Sequence, residues 1–180
     1  MSDPAVLLQD FVNTLDVEKD ADDLGSPTQL TGWLADHGLL PAGAGTSSEA
    51  DLTTAIKLRE GLRAAMLGHH GPGPYTLPAD LDDVLAELPV RVSLTADGPS
   101  LVPAVTGVAG GLSGLVAAIV RSDADGTWPR LKVCLEDTCR WAFLDTSKNR
   151  SRSWCSMRVC GNRTKTRAYR ARRRAGENGQ

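Results

Sequence analysis

What this 180-residue sequence lacks narrows its function. No apolar run approaches the roughly 18–20 residues of a membrane span, so no membrane partner is expected. The start of the chain has no positive region leading into an apolar stretch. No secretory signal is expected, and the chain is read as cytoplasmic. Cysteine is absent before position 134. The glycines at 107, 110, 111 and 114 lack the Gly-Lys-Ser/Thr ending of a phosphate loop, and close helix packing is the simpler reason for them. Residues 1–129 offer no paired carboxylates, no nucleophile beside a base and no open metal site. No catalytic residues are therefore assigned, and the chain is not read as an enzyme. After Asp145 only one carboxylate, Glu177, remains.

That last scarcity reflects a division that the total conceals. The formal net charge is −2. Residues 130–180 carry fourteen Lys/Arg against four Asp/Glu, a balance of +10, while residues 1–129 stand at −12. Two parts follow, 1–129 and 130–180, each to be read alone. Hydrophobic content of 41% and charged content of 23% are ordinary globular values, consistent with one domain plus a small appendage.

The first part reads as a mainly α domain with one β-hairpin. Leu8, Phe11, Val12 and Leu15 follow one helical face. Ser26-Pro27 caps a second helix with Leu30, Trp33 and Leu34 inside; His37 ends it, where a cation suits the helix dipole, and Gly38 stops it. Ser48 and Asp51 resemble a capping box opening a helix through about Leu67. Leu81, Val84, Leu85 and Leu88 give a further periodic set. Val90 to Leu94 alternates, Asp97-Gly98 is a turn, and Leu101-Val102 returns. Val108, Leu112, Leu115, Val116 and Ile119 mark the last helix. His69 and His70 sit beside glycine and proline and read as an exposed loop rather than a metal site. Asp10, Asn13, Thr14 and Asp16 can line a small pocket, though a solvated face with caps is the default. Arg59 and Arg63, one turn apart, can bind a carboxylate; pairing with local acids such as Glu60 or Asp51 is the plainer reading. Asn13, Arg59 and Arg63 are thus the candidates for a small-molecule effector.

The second part carries the chemistry. Cys134 and Cys139, fifteen intervening residues, then Cys155 and Cys160 make two C-x4-C pairs. Two close pairs across a short loop deliver four thiolates to one tetrahedral zinc. Two disulfides conflict with a cytoplasmic setting. Four buried thiols conflict with neighbours that are Arg, Ser, Asn and Lys. An iron–sulfur cluster shares the ligand type, but nothing suggests electron transfer. A segment of about 45 residues with so few apolar side chains also needs a metal to hold a fold. A knuckle on a hairpin, then a pair beside a helix, is a treble-clef-like α+β plan. Four cysteines close the coordination shell, so the one zinc is structural.

From 163 the sequence reads Arg-Thr-Lys-Thr-Arg-Ala-Tyr-Arg-Ala-Arg-Arg-Arg. Arg163, Arg167, Arg170 and Arg174 recur on one helical stripe, and Lys165, Arg172 and Arg173 spread charge around the cylinder. Such a helix is no core element. DNA or RNA phosphates are its natural partners, double-stranded DNA being the preferred one, with all seven residues as contacts; the acidic first part is the other outlet for its charge.

Trp154-Cys155-Ser156-Met157 followed by Cys160-Gly161-Asn162-Arg163 with Lys165 resembles the CGNR zinc finger. Asp10-Phe11-Val12-Asn13-Thr14-Leu15-Asp16, with Leu58-Arg59-Glu60 and Leu62-Arg63, resembles the ABATE domain that usually precedes it. Such proteins are regarded as stress-induced bacterial transcription regulators. The resemblance implies zinc on all four cysteines and a DNA-binding finger. The expected function is a zinc-dependent transcription regulator whose N-terminal domain senses a ligand or forms a homodimer. The alternative is a ligand-binding protein or enzyme whose finger is an RNA- or protein-interaction module.

Overall fold

The computed structural model describes residues 3–177 except Pro74 and Asp97, with side chains as far as Arg173. Helix α1 (Pro4–Val12) starts on Asp3, whose carboxylate accepts from the amides of Ala5 and Val6. It ends at Val12, so Leu15, expected on its apolar face, lies outside it. Thr14 turns the chain by donating its hydroxyl to the Phe11 carbonyl at 2.8 Å. Leu15 then enters a two-residue strand, β1 (Leu15–Asp16), paired with β2 (Ala21–Asp22).

Helix α2 (Pro27–Asp36) is capped by Ser26 and stopped by Gly38 at φ +69°. His37 ends it, stacked on Trp33 with ring centroids 3.9 Å apart. Helix α3 (Glu49–Gly68) opens on a reciprocal capping box between Ser48 and Asp51. A short α4 (Leu81–Ala86) precedes the antiparallel ribbon of β3 (Val90–Thr95) and β4 (Gly98–Pro103), in register from Val90 opposite Pro103 to Thr95 opposite Gly98. The turn residue Asp97 lies outside the described residues. Helix α5 (Gly107–Ala124) carries the glycine cluster, and close approach is its reason. A Cβ at Gly110 would stand 2.5 Å from the Val105 carbonyl oxygen.

A 3-10 turn (Trp128–Arg130) leads into β5 (Leu131–Val133) and its antiparallel partner β6 (Ala142–Leu144); a π-helical turn (Met157–Gly161) runs into α6 (Asn162–Glu177). The fold is thus mainly helical in its first part, with small hairpins and a compact cysteine-bearing finger.

The hydrophobic core does not stop at the charge break. Leu8, Phe11, Leu58, Met66 and Leu115 share one cluster with Leu131, Val133 and Ala142, all at or near zero exposure. Helix α3 packs on β5, and α1 packs on β6. Full burial of Leu131 and Val133 against the helices contributes about 1.5–3 kcal/mol each.

Polar side chains stitch the same seam. Asn13 imitates a strand, donating from Nδ2 to the Ala142 carbonyl at 3.0 Å and accepting from the Ala142 amide at 2.7 Å. His69 and His70 are not an exposed loop. Their rings are partly buried and bond the carbonyls of Leu131 at 2.6 Å and Val133 at 2.7 Å. The sequence shows only Gly and Pro around them; the strand carbonyls that hold them lie about 60 residues further on.

Candidate metal centre and nucleic-acid interface

The two cysteine pairs converge from different local devices. Cys134 and Cys139 bracket the tip of the β5–β6 hairpin. Their turn is closed by the Cys134 amide donating to Trp141 O at 2.9 Å and the Cys139 amide donating to Glu136 O at 2.9 Å. Arg140 takes φ +55° to bring the chain back into β6. Cys155 and Cys160 flank the π-helical turn, where Ser156 accepts from the Val159 amide. Gly161 leaves room here for the Met157 side chain, whose sulfur would stand 2.5 Å from a Cβ and would have to move aside. The Leu135 amide donates to Ser153 O at 3.0 Å and holds the two knuckles together.

The ligand atoms of all four cysteines lie within 4.8 Å of one another. Cys139 and Cys155 sulfurs are 3.6 Å apart, and those of Cys155 and Cys160 are 3.7 Å apart. Four Zn–S bonds of about 2.3 Å in a tetrahedron set sulfurs at roughly 3.8 Å, so the spacing matches. All four are free of disulfides. Burial pushes the Cys160 thiol up to about 12, and burial with neighbouring thiols pushes Cys155 higher still. The thiols of the second pair thus resist ionisation unless a cation lies beside them, and a dication inverts that preference. The donor set fits one structural zinc, and Phe143, Trp141 and Trp154 pack around it.

Behind the sulfurs lies a buried ion pair. Lys132 and Asp145 have side-chain exposures of 3% and 0% and meet at 3.0 Å. Asp145 also accepts from the Ser147 amide and hydroxyl and from the Arg152 amide. Burial opposes its ionisation, but these donors win and hold its carboxyl well below the usual range. Lys132 donates in turn to the Arg150 carbonyl, so the pair anchors the loop between β6 and the second knuckle.

Glu136 is a residue the sequence reading missed. Its side chain is fully buried and accepts from Thr138 at 3.2 Å, Thr164 at 2.9 Å and Arg167 at 2.8 Å. It therefore ties the first knuckle to the first two turns of α6. Burial pushes its carboxyl up, but the donors outweigh this and hold it below its ordinary value. The available signal was the adjacent acids Glu136 and Asp137 between two cysteines, in a segment with only four Asp/Glu.

Arg163, Arg167 and Arg170 line one open groove of about 690 Å³ along α6, as the stripe implies. Val159, Asn162, Thr166 and Ala171 complete its walls, and none of these four was anticipated. The arginines are not equivalent. Arg163 donates to Glu18 at 2.6 Å and to Thr138 at 3.1 Å, so it also touches the acidic part. Arg167 is held by Glu136 yet stays half exposed. Arg170, Lys165 and Arg172 are exposed and have no side-chain hydrogen bond or ion pair among the described residues. Arg173 is exposed, and the Arg174 side chain lies outside the described residues.

The three effector candidates serve inside the fold. Arg59 grips Asp22 through two bonds of 2.7 and 2.9 Å and also reaches Thr14 and Glu60. Arg63 donates to Glu60, to Val12 O and to Arg140 O. Glu60 is the local acid expected; Asp51 instead serves its capping box. With Asn13 on β6, these side chains brace α1, α3 and the zinc knuckle against one another.

Residues 5–126 match the family model named ABATE, whose description reads "Putative stress-induced transcription regulator", and residues 130–173 match the model for the CGNR zinc finger. No curated protein matches the chain.

Proposed function

The chain belongs to the ABATE family and ends in a CGNR zinc finger; from that premise and the geometry of α6 we propose that it is a DNA-binding transcription regulator and not an enzyme. The observation that carries this reading is the basic groove. Arg163, Arg167 and Arg170 share one open face of a helix whose start is set by Cys160 and whose second turn is set by Glu136. A metal-anchored helix holds its cations in place before binding, so less side-chain freedom is lost when phosphates arrive.

The roles divide by anchoring. Arg163 and Arg167 are oriented by partners and suit directional contacts to base edges. Arg170, Lys165, Arg172, Arg173 and Arg174 supply phosphate attraction. Exposed Met157 and Val159 lie at the mouth of the same helix and give apolar contact there. The closed four-cysteine shell leaves no position for a reacting water, which supports a structural metal.

Duplex binding measured by fluorescence anisotropy across a salt series tests the proposal. Affinity should fall steeply with salt, and each lost phosphate contact should lower the slope by roughly one unit. If Arg167→Ala with Arg170→Ala leaves affinity and slope unchanged, α6 is not the binding face. Tyr169 is 56% exposed among the arginines, which favours base stacking on single strands as the second reading. Tighter binding to single-stranded RNA than to duplex, lost in Tyr169→Ala, would select it.

A further inference from the structure

A second site lies far in sequence from the zinc. The C-terminal end of α2 (Asp36, His37) and the following Gly38 and Leu39 enclose, with α1, β4 and α5, a cavity of about 560 Å³. That volume falls in the range of small-molecule sites, about 300–1,000 Å³. Its body is apolar, from Leu7, Leu39, Val102, Pro103 and Ala117. It stays open because α5 presents Gly110, Gly114 and Ala117 where larger side chains would fill it. Gly110 is set by packing, since its Cβ would stand 2.5 Å from the Val105 carbonyl oxygen, and a Cβ on Gly114 would displace the end of the Leu39 side chain, 2.9 Å away. The cavity is a consequence of that close approach.

Arg121 gives the cavity its chemistry. It lines this space and also the adjoining depression of about 220 Å³ under the β3–β4 ribbon. Its Nε is buried and donates to nothing among the described residues. Among those residues its guanidinium forms no ion pair either, although Asp36 lines the same cavity. The Nε itself is closed off; the terminal guanidinium nitrogens, which make no hydrogen bond among the described residues, are the donors left to an occupant, and such a fork is matched by a carboxylate. At the other end, His37 is fixed by stacking on Trp33 and by its Nδ1 contact to Trp33 O. That contact leaves the other ring nitrogen for an occupant.

We propose that this cavity binds a small apolar carboxylate, its carboxyl group on Arg121 and its hydrocarbon body against Leu39, Val102 and Ala117. Binding needs neither DNA nor the groove on α6, so its failure would leave the regulator reading untouched. The site differs from Asn13, Arg59 and Arg63, whose polar groups are engaged inside the fold. Its walls come from four elements, and α1 and α5 are packed together directly beneath it.

The test is calorimetry on zinc-loaded, full-length protein with phenylacetate, 4-hydroxyphenylacetate and isovalerate, each against its neutral amide. At least one acid should bind with a sub-millimolar Kd, and its amide should bind at least about tenfold more weakly. Methyl resonances of Leu39, Val102 and Ala117 should shift on titration. Arg121→Gln should remove the preference for the acid, and Arg121→Lys should keep part of it, with melting temperature and zinc content unchanged. Should the glutamine variant unfold, the acid-against-amide comparison on the unaltered protein decides alone. No binding by any of the three acids, equal binding of acid and amide, or shifts confined to other methyls would overturn the proposal.

Discussion

Replacing Asp145 with asparagine removes one charge from a site that water does not reach. The change is nearly isosteric, so packing is kept while Lys132 is left buried with only backbone carbonyls around it. Breaking a pair buried on both sides costs about 3–5 kcal/mol, against about 0–1 kcal/mol for an exposed pair. Asp145 is the more damaging partner to lose, because it accepts from four donors: the Lys132 ammonium, the Ser147 amide and hydroxyl, and the Arg152 amide. Asp145→Asn should therefore destabilise more than Lys132→Met, and a double-mutant cycle should show coupling of more than about 1 kcal/mol. Urea unfolding of the zinc-loaded protein at pH 7, followed by circular dichroism, measures this. The loop held by Asp145 leads to Cys155, so zinc should also pass to a chelator faster in the variant. The sign with pH follows from the depressed carboxyl. Its contribution is complete above the unfolded value of about 4 and is lost as pH falls below that. A loss under about 1 kcal/mol together with unchanged zinc release would refute the assignment of this pair as the anchor of the second knuckle.

Metal analysis should find one zinc per chain, and Cys155→Ser should abolish it; retained stoichiometric zinc in that variant would contradict the four-cysteine site. Glu18→Gln releases Arg163 from its contact with the acidic hairpin. Duplex affinity at low salt should rise with little change in melting temperature, whereas unchanged affinity would mean that the contact does not compete with DNA. Burial depresses the titration of His69 and His70, which both bond β5 carbonyls. Stability should be full above the unfolded value of about 6.5 and fall as pH drops below it, and His69→Gln with His70→Gln should flatten that fall. Glu136→Gln should weaken DNA binding more than it lowers the melting temperature, read by anisotropy and thermal unfolding in parallel, because it frees Arg167 and Thr164 on α6.

Local signals in the chain were enough for the elements whose cause is local. The Ser26 and Ser48 caps, the Gly38 stop and the ribbon strands all lie within a few residues of the side chains that produce them. The paired cysteines were legible for the same reason, since each knuckle is a short turn. Leu15 was misread because it keeps the helical period while Thr14 turns the backbone away.

Composition and spacing alone determined the division of charge, the two cysteine pairs and the basic stripe on α6. Each depends on residue type at a fixed interval along one segment. Only the tertiary structure decided how the parts share a core and which cations are held. Leu131 and Val133 fill the helical cluster, Asn13 pairs with Ala142 across 129 positions, and Glu136 claims Arg167 across 31. Such pairings depend on which surfaces meet when loops close, and no interval in the chain encodes that meeting locally. The same holds for Arg121: its neighbours on α5 were plain in the sequence, but its orphaned Nε and the cavity it lines exist only once α2, β4 and α5 have packed.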